Sequence, residues 1–242
     1  MSAKGFDVRR TLSESLTLGL VRASHPKTAV VTAAAVTAAA GLAGRSTSGV
    51  AVVFATVSAG QAVLGWHNDL VDRERDARHD RTEKPLVSGA VEPGTAWFAM
   101  ACGVLLVVPL SIANGVTPGL LHLGLLLLAL ASNTGLLRRT PFSWVTWAAT
   151  FALWPPFLSY AGSLAAAPTA SVTVLSALLG VGVHVALALP GLVADNQDKS
   201  RSFPLLIALR IGAPKLLVAT VIYLVLVTAG LVAVGLTVGL RY

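Results

Sequence analysis

Long apolar runs separated by short polar stretches dominate this chain, and their lengths set its class. Seven runs stand out, over 28–44, 49–67, 95–112, 118–137, 142–160, 170–193 and 215–239. Each is close to the roughly 20 apolar residues that a helix needs to cross about 30 Å of hydrocarbon. The first is rich in Ala and Thr, so its neighbours decide it more than its own hydropathy does. The last is long enough to tilt, or to break near Gly230. Ahead of them, 6–22 places Leu12, Leu16 and Leu20 at four-residue spacing beside Arg9, Arg10 and Arg22. That pattern reads as an amphipathic helix on a membrane surface; a disordered basic tail stays open as the other reading. The pattern therefore predicts one all-α domain over 1–242. It is a polytopic transmembrane helix bundle of about seven spans, with 1–27 as an amphipathic cytoplasmic segment.

Composition agrees. With 55% hydrophobic residues, 12% charged and a mean hydropathy of +0.74, the 242 residues carry too little polar surface for a soluble domain. A net charge of +7 and a pI near 10.2 would suggest nucleic acid in a soluble protein. Here the distribution of Lys and Arg explains them instead. If the N-terminus lies inside, sixteen of the eighteen fall in inner segments and only Arg45 and Arg241 fall outside. Every Asp and Glu also lies inside, so the expected chemistry faces the cytoplasm, and no nucleic-acid partner is expected. Cys102 stands alone in an apolar run, which excludes a disulfide framework and a Cys-based metal site. Ser13, Glu14 and Ser15 deny Lys4, Arg9 and Arg10 an unbroken apolar run behind them, so no signal peptide is expected.

The acidic residues gather at two helix ends. At about 100° per residue, Asn68, Asp69, Asp72 and Asp76 fall within an arc of roughly 100° on one helix face. Asp195 and Asp198, at i and i+3, share a face at the end of another apolar run. Like charges this close repel unless a cation neutralises them, and carboxylates with an amide carbonyl are hard oxygen ligands suited to Mg²⁺. The bland alternative is a solvated helix whose Asp residues pair with Arg73, Arg75 and Arg78. Both acidic groups end an even-numbered apolar run and precede a basic stretch containing proline, Lys84-Pro85 and Arg201 to Pro204. This weak duplication would bring them over one central cavity.

Basic residues supply the other half of an anion site. Arg73, Arg78, Arg81 and Lys84 follow the first group, Arg138 and Arg139 end the fourth run, and Lys199 and Arg201 follow the second group. A diphosphate bridged by Mg²⁺ and held by such side chains is activated as a leaving group. For each basic residue, orientation in the membrane or contact with lipid headgroups is the competing reading. Gln61 points the same way as Asn68 and Asp69 about two turns deeper, and His184 shares the face of Asp195 about three turns deeper. Both are candidates for the substrate pocket; for His184 an interhelical hydrogen bond is an equal alternative. Trp144, Trp147 and Trp154 fit a tunnel wall or a lipid-facing anchor, and Pro155-Pro156 should kink the fifth run.

These residues carry a family resemblance. Asn68 to Asp76, N-D-L-V-D-R-E-R-D, matches the N-D-x-x-D-x-x-x-D motif of the UbiA-type intramembrane prenyltransferases at every fixed position. Lys84 to Gly89 resembles the R-P-[LI]-x-x-G element that comes next in that family, with Lys in place of Arg. Asn133 to Thr140 is similar to the basic element between the fourth and fifth helices, with Ser132 near where a Tyr is usual. Asp195-Asn196-Gln197-Asp198 resembles the second aspartate motif, and Leu20 to Lys27 the lead-in to the first helix. The likeness runs from about residue 16 to 215.

The resemblance implies an all-helical membrane bundle whose central cavity opens to the cytoplasmic side and sideways into the bilayer. In it, an isoprenyl diphosphate lies with its head under two Mg²⁺ ions and its tail in an apolar tunnel. Asn68, Asp69 and Asp72 would hold one ion, Asp195 and Asp198 the other, with Asp76 in support. Loss of diphosphate would leave an allylic cation for a lipophilic acceptor to capture. Three features depart from the pattern: seven runs where the family usually has nine helices, Pro204 following Asp198 closely, and Lys84, which lacks the fork of Arg. The rival expectation is a non-enzymatic membrane protein, a transporter or a cation-binding assembly factor on a degenerate scaffold of this type. The acceptor, and whether several copies assemble, are left open.

Overall fold

The computed structural model describes residues 16–162 and 165–239, and among them there are helices and no strands. In chain order they are α1 (Leu16–Ala23), α2 (Pro26–Leu42), α3 (Thr47–Arg78), α4 (Pro93–Ile112), α5 (Val116–Asn133) and α6 (Ser143–Ala152). After these come α7 (Trp154–Ser159), α8 (Ala170–Ala188), α9 (Leu192–Gln197), α10 (Phe203–Ile211) and α11 (Ala213–Val234). Of the surface helix expected over 6–22, the part before Leu16 lies outside the described residues; the remainder is α1.

Every expected run is helical, but the boundaries move in ways that matter for the site. α3 does not stop at 67. It continues without a break to Arg78, and its 32 residues give a rod of about 48 Å, well beyond the hydrocarbon thickness. The first acidic group therefore rides on the last turns of a continuous helix. Pro155-Pro156 divides the fifth run into α6 and α7 at Leu153, since a proline cannot supply the N–H that an unbroken helix needs. The sixth run ends as α8, a tight turn over Leu189–Gly191 around Pro190, and then α9. α10 is an addition: nine residues reach only about 14 Å, too short to span. The last helix runs straight through Gly230, and its winding changes only at Gly235–Gly239.

Among the described residues, five helical segments are long and apolar enough to cross a membrane: α3, α4, α5, α8 with α9, and α11 with its final turn. α2 is apolar but 17 residues long, and α6 and α7 are halves of a broken segment. α3 packs between α2 and α4, α5 joins α4 to α6, and α8 packs on α6 and α11. The main core forms where Ala33 and Val36 of α2, Val53 and Val57 of α3, Leu125 of α5 and Phe157 of α7 meet. Most other large apolar side chains face outward, as lipid-facing surfaces require.

Two glycines permit the approaches that shape the interior. A Cβ at Gly65 of α3 would stand 2.5 Å from the carbonyl oxygen of Ser24, so only glycine lets the α1–α2 corner lie against the helix. A Cβ at Gly180 of α8 would stand 2.5 Å from the carbonyl oxygen of Trp147, which brings α8 directly onto α6.

Candidate active site

The last turns of α3 carry the first acidic group to the wall of a cavity of about 520 Å³. Asn68, Asp72 and Asp76 line it, with Gln61 deeper on the same face, as their angular spacing requires. Asp69 lies at the edge of that arc and is only 2% exposed. It does not line the cavity but points into the packing between α3 and its neighbours. There His25 Nε2 lies 2.8 Å from its Oδ1, and Lys84 Nζ donates to the same oxygen at 2.8 Å. His25 is placed by a left-handed backbone (φ 52°) at the start of α2, directly after the Ser24 that Gly65 admits.

Every carboxylate of this group faces a cation. Lys84 straddles two of them, donating also to Asp76 Oδ2 at 2.7 Å. Arg138 grips Asp72 with both prongs of its guanidinium, each at 2.7 Å. Arg81 stands 3.8 Å from Asp76. Burial would push the Lys84 ammonium down, but Asp69 and Asp76 outweigh it and hold its pKa above the ordinary lysine value.

The second acidic group arrives from α9. Asp195 lines the cavity and Asp198 ends the helix beside it. One guanidinium from α3 holds both: Arg75 Nη2 donates to Asp195 at 2.7 Å and Arg75 Nε to Asp198 at 2.5 Å. His79, which caps the end of α3, lies 3.1 Å from the other oxygen of Asp198. The hydrogen bond from Arg75 is the largest reason that the Asp198 carboxyl lies below its ordinary range. Arg201 N–H donates to the Arg139 carbonyl at 3.1 Å, which ties together the two loops flanking this end.

Away from these charges the cavity turns apolar. Leu125, Trp147, Phe151 and Trp154 line its inner part. His184 is also in the wall; its Nε2 lies 2.9 Å from Ser143 Oγ, and its ring stacks on Trp147 with centroids 5.4 Å apart. Both readings offered for His184 therefore hold geometrically, an interhelical hydrogen bond and a cavity face. Ser143 in turn accepts the backbone N–H of Phe203, which fixes α10 against α6.

The expected anion-binding residues divide. Arg81, Lys84, Arg138 and Arg139 line the cavity, whereas Arg73, Arg78, Lys199 and Arg201 are exposed and do not. Helix geometry explains two of them: relative to Asp72, Arg73 and Arg78 point roughly 100° and 120° away, whereas Arg75 lies only about 60° off. Sequence spacing offers Arg75 as a partner for aspartates of its own helix. The structure gives it to the other motif. His25 and His79 carry no sequence signal of their own, because each meets its partner across a long sequence separation. Among the described residues, no three His, Cys, Asp or Glu side chains are gathered into one group. Each carboxylate is turned toward Lys, Arg or His instead.

Comparison with known proteins gives the arrangement its family. A profile of the UbiA prenyltransferase family matches residues 28–242. A search of curated proteins finds no match. Among solved structures, a UbiA homolog from Archaeoglobus fulgidus bound to GPP and Mg²⁺ is similar with a TM-score of 0.63 at 16% identity. The match covers 90% of this chain and 82% of the homolog. With a match over most of its length, this apolar helical chain belongs to the UbiA prenyltransferase family, whose members are integral membrane proteins.

Proposed function

We propose that this protein transfers a prenyl group from an isoprenyl diphosphate to a lipophilic acceptor within the membrane, with Mg²⁺ as cofactor. One observation carries the reading. Both acidic groups and five Lys and Arg side chains open on one cavity that becomes apolar and aromatic further in. That is the polarity of a prenyl diphosphate, a charged head on a hydrocarbon tail. The UbiA homolog of similar fold was solved with GPP and Mg²⁺, which agrees with that substrate class.

The donor set fits a divalent ion at the first motif. Asn68, Asp72 and Asp76 present hard oxygens on one face of the cavity, and the buried Asp72 and Asp76 are each matched to a cation from a neighbouring loop. When bound, the ion supplies charge neutralisation that stabilises the departing diphosphate. The chain's own residues do the rest. Arg138, Lys84 and Arg81, released from their carboxylates, turn their donors to the diphosphate oxygens and hold the leaving group. Trp147, Phe151 and Trp154 exclude water from the allylic carbon, and their ring faces favour positive charge developing there. The bias of Lys and Arg toward the charged end supports its facing the cytoplasm.

The test uses purified protein in detergent with radiolabelled geranyl and farnesyl diphosphates, Mg²⁺ and a membrane lipid extract. Labelled lipid or released pyrophosphate is expected, and Asp72→Ala or Asp195→Ala should abolish it without loss of expression. Diphosphate binding that survives full chelation of divalent ions, with no turnover, would instead favour a non-enzymatic role.

A further inference from the structure

The resemblance implies two magnesium ions, one for each acidic motif. The second motif does not fit that role, and the reason is Arg75. Its guanidinium already fills the position from which an ion would address Asp195 and Asp198 together: Nη2 reaches one carboxylate at 2.7 Å and Nε the other at 2.5 Å. His79 lies 3.1 Å from the remaining Asp198 oxygen. Three of the four carboxylate oxygens are thus engaged by groups of a single helix.

This pairing differs in kind from the pairings at the first motif. Lys84 and Arg138 stand on loops, after α3 and after α5, and each can swing toward a diphosphate while an ion takes over its carboxylate. Arg75 stands mid-turn on α3 between Asp72 and Asp76, so its Cα stays beside the first motif, and its guanidinium is held by two hydrogen bonds to two different carboxylates of α9 and its end. It leaves the helix between Asp72 and Asp76 and ends on Asp195 and Asp198, so it reaches from the first motif to the second. A divalent ion at the second motif would press directly against that positive charge, with little water to screen it, since Arg75 is 18% exposed and Asp198 14%. If Arg75 left, Asp198 would keep only His79 at 3.1 Å and Arg139 at 3.9 Å, and Asp195 would lose its ion pair.

We infer that Arg75 is a built-in cation that takes the place of a second magnesium, so that this protein works with one divalent ion per chain, held at the first motif. In this role Arg75 is a positioning residue. It offsets one of the two charges of the second motif, locks α9 to α3, and keeps N–H groups available on the cavity side for the diphosphate. The inference rests on the proposed function, in which the first motif takes a divalent ion.

Counting bound metal tests it without any need for turnover. Manganese(II) is titrated into the purified protein with a non-reacting geranyl thiolodiphosphate, and unbound ion is read by electron paramagnetic resonance. The expected count is one per chain. Asp72→Asn should bring it to zero, and Asp195→Asn should leave it at one. Arg75→Gln, which removes the charge but keeps hydrogen-bonding groups, should raise it to two. Two ions per chain in the unaltered protein overturn the inference while leaving the proposed function standing. Loss of the ion in Asp195→Asn, or a folded Arg75→Gln that still binds only one, overturns it as well. No bound manganese in the unaltered protein removes both the inference and the divalent-ion reading beneath it. The count in the unaltered protein decides the matter even if Arg75→Gln fails to fold.

Discussion

Gly65→Ala is the sharpest test of how the site is assembled, because the structure fixes both the clash and its consequence. The new methyl would lie 2.5 Å from Ser24 O, 2.6 Å from Ser24 C and 2.8 Å from Ser24 Cα, all of them backbone atoms with no rotamer to escape into. Ordinary contact requires the corner to retreat by about 1 Å, and overpacking of this kind costs about 1–3 kcal/mol. His25 follows Ser24, so the same retreat stretches its 2.8 Å contact with Asp69 beyond hydrogen-bonding range. The loss of that contact adds about 1 kcal/mol at most, because the His25 side chain is 39% exposed. Against this, Ala is the better helix former by about 1 kcal/mol. The net is a destabilisation of about 1–3 kcal/mol, or a fall of several degrees in unfolding temperature. Gly124→Ala on α5, where nothing lies within 4 Å of the new methyl, isolates the helix-propensity term and should be neutral or stabilising. Both are read by thermal unfolding in detergent followed through tryptophan fluorescence. A Gly65→Ala protein as stable as Gly124→Ala would refute the close approach and the placement of His25 that depends on it.

Arg138→Lys keeps the charge but loses the two-pronged grip on Asp72, and should weaken geranyl diphosphate binding about tenfold by calorimetry, or about 1.4 kcal/mol. Arg45, at the far end of α3, donates to Asn114 at 2.8 Å and to the Phe157 carbonyl at 3.2 Å; Arg45→Ala should destabilise by about 1–3 kcal/mol while leaving diphosphate affinity unchanged. The pH dependence comes from Asp198, whose folded-state pKa lies below the ordinary 3.8, held down first by the hydrogen bond from Arg75. Its stabilisation is therefore complete above 3.8 and disappears as pH falls through the lower folded value. Unfolding temperature should show an acid limb below about pH 4 that Asp198→Asn removes, along with part of the stability at neutral pH.

Much of this architecture is written in periodicities, and the limits of periodicity mark where the sequence falls silent. Apolar run length locates each of the five described segments long enough to cross a membrane, because a helix must satisfy its own backbone across the hydrocarbon and that demand leaves a continuous signal. It does not show that α3 continues to Arg78, since polar residues past the membrane are equally compatible with a loop. It also passes over α10, whose nine residues are too few to register as a span. Angular spacing puts Asn68, Asp72, Asp76 and Gln61 on one face, and they share one wall of the cavity. The same spacing could have excluded Arg73 and Arg78 and admitted Arg75, for the arithmetic is identical for cations and anions.

The partners are a different matter. Which carboxylate a guanidinium meets depends on where a distant helix ends, and the end of α9 is set by Pro190 and by α10 packing under Ser143. Neither leaves a mark near Arg75. The two acidic motifs are expected to converge because each ends an even-numbered apolar run ahead of a basic stretch with proline. They meet instead through an arginine lodged within one of them. A motif therefore records which donors a helix carries, while the tertiary structure decides what neutralises them. At the second motif a cation from within the chain engages both carboxylates, and that makes the number of bound ions, more than the acceptor or the tail length, the first property to measure.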